Sequence, residues 1–148
     1  MPSRGYALGV LTLLGLVAAC PVVAGPLHDA AAAGDIERAK RLIDRGAHLN
    51  VKDVDGYAPL HLSAYKGYAA VVELLLTKGA KVNVLDRHNQ TPLLLAAYEG
   101  HLSVVKLLID NGAEVNAEAK TGATPLKAAA ANRHRDIVKL LKRHGAKQ

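Results

Sequence analysis

The sequence has 148 residues, enough for one domain, with a formal charge of +6 and a pI near 9.6. Half of the residues are apolar, but Phe and Trp are absent, a composition that suits closely packed short helices better than a β-sandwich. The single cysteine, Cys20, excludes a disulfide within the chain and a cysteine-ligated zinc site. We interpret the basic residues as dispersed among acids, which argues against a nucleic-acid-binding surface.

Residues 1–24 are predicted to be an export signal. Arg4 precedes an apolar run over residues 7–19, and small residues follow the run. The run is shorter than the roughly 20 residues of a membrane-spanning helix, so cleavage is favoured over anchoring. Two processing points remain open. Cleavage after Ala24 would release a free chain, whereas Val17-Ala18-Ala19-Cys20 resembles the bacterial lipobox and would leave a lipidated Cys20.

A short motif recurs at a fixed interval of 33 residues: Gly46-Ala47-His48-Leu49-Asn50, Gly79-Ala80-Lys81-Val82-Asn83, Gly112-Ala113-Glu114-Val115-Asn116 and the truncated Gly145-Ala146. A period of about 20–50 residues indicates stacked supersecondary units rather than one globular core. We divide the chain into an N-terminal capping unit, two inner units and a C-terminal capping unit, which span residues 25–54, 55–87, 88–120 and 121–148.

Each unit is predicted to contain two helices. The first begins at a proline (Pro26, Pro59, Pro92 or Pro125) and ends before a glycine (Gly34, Gly67 or Gly100), with Arg133 as the exception. The second has apolar residues at three- and four-residue intervals. Thr91 and Thr124 precede their prolines and are predicted to cap the helices, and Asn89 is predicted to replace a glycine at positive φ.

These units resemble the ankyrin repeat, whose pattern is close to D-x-x-G-x-T-P-L-H-x-A-A-x-x-G-H-x-x-I-V-x-L-L-x-x-G-A-x-V-N. The resemblance covers residues 26–146. It implies an all-α solenoid of four helix–turn–helix units with polar end caps and protruding β-hairpin-like loops. No unit carries both the Thr and the His of T-P-L-H, because His28 and His61 lack the threonine, and Thr91 and Thr124 lack the histidine. We expect these repeats to be less stable than repeats that have both.

The first and last units carry charged residues where the inner units are apolar. Arg38 and Arg41 stand in the first unit, and Arg135 and Lys142 in the fourth. The terminal units of a stack must be polar on their outer faces to stay soluble. We therefore expect the array to begin near Pro26, to end near the C-terminus and to be a monomer.

No familiar catalytic motif is present: the sequence has no G-x-S-x-G, H-E-x-x-H, phosphate-binding glycine loop or G-x-G-x-x-G. We expect a non-enzymatic protein without cofactor or metal. His101 and His134 share one repeat position and are interpreted as structural, since zinc needs three or four converging ligands. An enzymatic alternative would require an acid and a base to converge, such as His88 with Asp55 or Glu99.

The ankyrin resemblance implies that a partner protein binds the concave face formed by the loop tips and first helices. The variable positions of the pattern map to this face. The candidate partner-binding residues are Tyr57, Tyr65, Lys66, Arg87, His88, Gln90, Tyr98, Glu99, Lys120 and Asn132. Tyr and Arg often dominate binding energy, and we expect Tyr65 and Tyr98, which share a repeat position, to be neighbours. Tyr68, which replaces the histidine of G-H, is interpreted as structural.

These observations predict an exported bacterial protein that binds another protein, and no nucleic acid, in the periplasm or after secretion. A lipid anchor at Cys20 would instead hold it in the cell envelope as a membrane-attached protein. Two more specific roles remain open. One is an inhibitor or immunity protein for a secreted toxin or hydrolase, and the other is a scaffold or stabiliser of an exported enzyme.

Overall fold

A computed structural model describes residues 25–148, in which eight α-helices form four consecutive pairs. The helices are α1 Pro26–Ala33, α2 Ile36–Asp44, α3 Pro59–Lys66, α4 Ala69–Thr77, α5 Pro92–Glu99, α6 Leu102–Asp110, α7 Pro125–Ala131 and α8 Arg135–Arg143. The predicted export signal and Cys20 lie outside the described residues. No helix within residues 25–148 combines the length and apolarity of a bilayer-spanning segment.

The helix pairs stack in two layers. The first helices α1, α3, α5 and α7 form one layer, and the second helices α2, α4, α6 and α8 form the other. Successive first helices contact each other more extensively than successive second helices do, so the stack curves toward the first-helix layer. Helices of seven to nine residues are not stable alone in water, and apolar packing between repeats must hold them. The predicted all-α repeat solenoid is confirmed.

Each first helix begins at its proline and has one of two caps. Thr91 Oγ1 accepts a hydrogen bond from the Leu94 N–H at 3.2 Å, and Thr124 Oγ1 does the same for its own helix. Where the threonine is missing, the histidine supplies the cap. The Ala58 N–H donates to His61 Nδ1 at 3.0 Å, and His28 makes the equivalent bond in the first unit. The predicted threonine caps are therefore confirmed.

The asparagine that ends each repeated motif bonds to the following repeat. Asn50 Oδ1 accepts from the Lys81 N–H at 2.9 Å, and Asn83 and Asn116 accept the same bond one and two repeats later, each at 2.8 Å. Asn83 Nδ2 also donates to the Gly112 carbonyl at 3.3 Å. In each repeat, the side-chain amide of this asparagine therefore fixes the position of one helix pair relative to the next.

The glycine that ends a first helix meets both a backbone and a steric requirement. Gly67 has φ +82°, and a Cβ there would lie 2.5 Å from His101 Nδ1, because the imidazole ring packs over the glycine. Arg133 has φ +63° at the same repeat position. Among the described residues no later repeat places a histidine over it, so the side chain is sterically allowed there.

The loops are tight turns rather than β-hairpins. Two backbone bonds close each one, such as Asp86 N–H to the Gln90 carbonyl and Asn89 N–H to the Asp86 carbonyl, each at 3.2 Å, and no strand forms within residues 25–148. The expected β-hairpin character is therefore not confirmed. Asn89 has φ +58°, which confirms that it replaces a glycine.

Positive charge is concentrated in the last repeat, and the interpretation that it is dispersed along the chain is wrong. Residues 127–148 contain seven lysines and arginines and one acid, whereas residues 25–126 contain eleven and twelve. Arg135 and Lys142 are exposed there, as expected for a polar end, and Arg41 is exposed at the other end.

Asn83→Ala removes two hydrogen bonds between the second and third repeats. It should lower the free energy of unfolding by about 1–2 kcal/mol, since each bond contributes on the order of 1 kcal/mol. Urea unfolding followed by circular dichroism measures the change. Asn111→Ala is the control, because this exposed amide bonds to Leu107 within its own repeat. It should cost less than about 0.5 kcal/mol. Equal losses in both variants would contradict a registering role for Asn83.

Candidate partner-binding surface

Aspartate side chains build two of the loop tips. Asp86 Oδ1 accepts hydrogen bonds from the backbone N–H groups of His88 and Gln90, each at 2.8 Å. This turn leaves the side chains of Arg87 and His88 exposed at the tip. Asp53 caps the preceding loop in the same way, with bonds of 3.0 and 2.8 Å.

The last loop lacks such an aspartate and has a bond to the preceding loop. Ala119 occupies the place of the capping aspartate, so the tip has no side-chain acceptor of its own. The Lys120 N–H donates to the His88 carbonyl at 2.9 Å and ties this tip to the preceding loop. The structure therefore brings the predicted residues His88 and Lys120 together through their backbones, while both side chains remain exposed.

Tyr57 is half-buried, and both its ring and its backbone contact neighbouring residues. Its ring meets the His61 ring edge-on, with centroids 5.8 Å apart and planes at 63°. Its carbonyl accepts a hydrogen bond from His28 Nε2 at 3.0 Å, across the repeat boundary. Of the predicted tyrosines, Tyr57 is thus the one most fixed by its neighbours.

The surroundings of Tyr57 are acidic. Burial raises the pKa of the Tyr57 phenol, and the negative charges of Asp86, Asp55 and Asp53 raise this pKa further, with a smaller effect from Tyr65. Asp86 is 6% exposed, and its Oδ2 is buried without a hydrogen-bond partner within the described residues. Three carboxylates, those of Asp53, Asp55 and Asp86, therefore act on the Tyr57 phenol.

His61 is buried as a neutral imidazole that links two repeats. Its Nδ1 accepts from Ala58, so the proton is on Nε2, which donates to the Gln90 carbonyl at 3.0 Å. Burial lowers the pKa of His61, although the bond to Gln90 and the charge of Asp86 oppose this shift. The predicted site residue Gln90 therefore has a structural role, because its backbone carbonyl accepts this bond from the preceding repeat.

Tyr65 and Tyr98 are exposed at the ends of α3 and α5, with 43% and 50% of their surface accessible. Histidines of the following repeats hold their backbones. His101 Nε2 donates to the Tyr65 carbonyl at 2.9 Å, and His134 Nε2 donates to the Tyr98 carbonyl at 3.0 Å. The two rings do not stack, since the one aromatic contact among the described residues joins Tyr57 to His61. The two rings therefore project separately from the neighbouring helices α3 and α5.

The other predicted residues differ in their freedom to contact a partner. Lys66 is exposed and Glu99 is half-buried. The Asn132 amide is engaged, because its Nδ2 donates to the Tyr98 carbonyl at 2.8 Å. Asn132 thus supports the position of Tyr98 from the next repeat.

Sequence reasoning missed Leu85, which is 40% exposed in the loop before Asp86, and left Val54, 53% exposed at a loop tip, out of the site. Together with Tyr65 and Tyr98 they are four of the five exposed large apolar residues described. The fifth, Tyr68, packs over Gly34 as the structural interpretation expected. Comparing Leu85 with its repeat equivalents, Lys52 and Glu118, would have identified it.

The enzymatic alternative required His88 to pair with Asp55 or Glu99. Within residues 25–148 the His88 side chain has no hydrogen bond to Asp55 or Glu99. In the same residues, no three or more His, Cys, Asp or Glu side chains are grouped so that they could hold a metal ion. His101 and His134 instead donate hydrogen bonds to the carbonyls of Tyr65 and Tyr98.

A curved stack of helix pairs with exposed aromatic and apolar residues on its first-helix side is the architecture of a repeat-based binding protein. A family model described as ankyrin repeats in three copies matches residues 27–119 and 85–148. The chain belongs to the ankyrin repeat family, and its repeats make it a protein–protein interaction module. No curated protein matches the chain.

The buried His61 should make stability depend on pH. Its pKa lies below the ordinary value of 6.5 in the folded chain, so the unfolded chain takes up the proton first as the pH falls. Its contribution to the free energy of unfolding is therefore fully present above the ordinary value and decreases as the pH drops below it. Urea unfolding at pH 7.5 and 5.0 measures this loss.

Ala58→Thr/His61→Leu is the matched variant, because it installs the Thr91 and Leu94 arrangement of the third repeat at this position. It keeps a helix cap and removes the titrating group. We expect the double variant to lose less stability between the two pH values than the unmodified chain. Parallel pH profiles for the two proteins would show that His61 is not responsible.

Proposed function

We propose that this chain is exported to the cell envelope, where it binds a partner protein as a monomer through its concave face, with Tyr65 and Tyr98 as the central contacts. The observation that carries the proposal is the exposure of these two rings at equivalent positions of the two inner repeats. The terminal repeats have Ala32 and Ala131 there, so the aromatic contacts are confined to the middle of the stack.

The tyrosines are suited to binding because their backbones are already ordered. The histidine bonds to the Tyr65 and Tyr98 carbonyls fix the ends of α3 and α5 before any partner arrives. A tyrosine has few rotatable bonds, so little further entropy is lost when its ring is covered. Val54 and Leu85 extend the apolar contact toward the loop tips.

The charges of the face would orient the partner. Asp53, Asp55 and Asp86 act on Tyr57, whereas Arg87, His88 and Lys120 are exposed at the later loop tips. A partner with a cationic group near Tyr57 and an acidic group near Lys120 would match both ends. Such complementarity chiefly sets orientation and the association rate.

Tyr65→Ala/Tyr98→Ala should weaken partner binding by at least about tenfold, because a tyrosine hot spot contributes on the order of 2 kcal/mol and 1.4 kcal/mol corresponds to a factor of ten. The partner is first identified by photo-crosslinking in cells, with a photoreactive phenylalanine at position 65 or 98. Affinity is then measured by calorimetry with the purified pair.

The matched control is Glu73→Ala/Lys106→Ala, which changes exposed equivalent positions on the second helices α4 and α6. We expect it to leave the affinity unchanged, and crosslinkers at 73 and 106 should not capture the same partner. Unfolding midpoints show whether each variant is folded. A folded tyrosine variant that binds normally would remove these residues from the site.

Export has its own test. The mature protein should be recovered from the envelope fraction and should begin at Gly25 or at a lipid-modified Cys20, as determined by mass spectrometry. Cys20→Ser distinguishes the two forms, since it abolishes membrane attachment only if Cys20 is lipidated. A cytoplasmic chain that retains residues 1–24 would contradict export.

A further inference from the structure

The end of the stack formed by α7 and α8 has an apolar floor. Ala130 and Val138 line two adjoining shallow grooves, of about 370 and about 260 Å³, on the side where a following repeat would lie. The second groove also includes Leu126. Ala130 is exposed and Val138 is half-buried.

In the other repeats, the next helix pair covers the same positions. The equivalents of Ala130 are Ala31, Ala64 and Ala97, and those of Val138 are Ala39, Val72 and Val105, all of them 0% exposed. Within residues 25–148, another helix pair follows each of these repeats, and none follows the last one. The end face therefore has the shape of a surface that receives helices.

The rim of this end face carries charge of one sign. Lys127, Arg133, Arg135, Lys139 and Lys142 line the grooves, and the described residues show no salt bridge to any of them. Solubility alone does not require that the charges at this end all have the same sign. At the opposite end of the stack, residues 25–45 contain four acids and four bases, which keep that end polar without a net charge.

We propose that the end face formed by α7 and α8 docks an acidic amphipathic helix of a partner protein. Small apolar side chains of that helix would cover Ala130 and Val138, as the next repeat does inside the stack. Its carboxylates would meet the cationic rim. This contact lies on a different surface from the concave face.

Other occupants fit the end face less well. A second copy of this chain would stack its first repeat here and bring Arg38 and Arg41 against the cationic rim. A bilayer needs large exposed apolar side chains to insert, and the floor offers an alanine and a half-buried valine. A nucleic acid would use the cations but not the apolar floor.

The test uses a synthetic 20-residue helical peptide that has alanine and leucine at helical spacing flanked by glutamates. Binding to the full chain is measured by fluorescence anisotropy and mapped by NMR chemical-shift changes. We expect a micromolar dissociation constant, shifts confined to α7 and α8, and weaker binding at higher salt concentration. A scrambled peptide of the same composition should bind at least tenfold more weakly.

Separate variants test how much the cationic rim and the apolar floor each contribute to peptide binding. Arg135→Glu/Lys142→Glu should reduce the affinity at least tenfold, whereas Arg38→Glu/Arg41→Glu at the opposite end should not. Ala130→Gln should reduce it several-fold by filling the floor, with the exposed neighbour change Ala131→Gln as its control. All four variants change exposed or half-exposed end positions, and unfolding midpoints verify that they fold.

Several results would overturn the proposal. Equal binding of the ordered and scrambled peptides, or of a 20-nucleotide single-stranded DNA, would show nonspecific attraction to polyanions. Tighter binding to vesicles of phosphatidylglycerol than to the peptide would favour a membrane. Concentration-dependent association of the unmodified chain, abolished by Ala130→Gln, would favour a second copy. No peptide binding at 100 times the expected concentration would also reject the acidic helix.

Discussion

Hydrogen bonds that an asparagine side chain accepts from the backbone of the next repeat join the units of this protein. Asn50, Asn83 and Asn116 each accept one such bond, and no helix between them is long enough to persist by itself. The order of each repeat therefore depends on its neighbours. The concave face inherits this order, because His101 and His134 position Tyr65 and Tyr98 from the repeat that follows.

The fold was predictable where a local rule determines the structure. Proline at the first helical position, threonine as a cap, and Asn89 at positive φ depend on a few neighbouring residues, and periodicity shows that the units stack. The loops were less predictable. Asp53 and Asp86 accept hydrogen bonds from the backbone N–H groups of their loops, but the last loop has Ala119 at this position and forms no strand either. All three loops share a pair of backbone bonds that close a tight turn.

The candidate surface was predictable only in outline. Register identifies which positions face inward, but it does not tell whether a side chain there is free. Asn132 and Tyr57 have cross-repeat hydrogen bonds that arise from residues about 30 positions apart, and these require the three-dimensional arrangement. Leu85 and the basic last repeat were missed for another reason, since they appear only when equivalent positions and repeats are compared with each other.

Arg133 places a steric condition on what can contact the end of the stack. At the equivalent Gly100, a Cβ would lie 2.5 Å from His134 Cε1, so a β-carbon and an imidazole ring cannot share this place. A helix pair that copied an inner repeat would bring such a ring onto Arg133 and collide with it. A helix pair that packed against α7 and α8 would therefore need a small residue, rather than an aromatic one, at the start of its second helix.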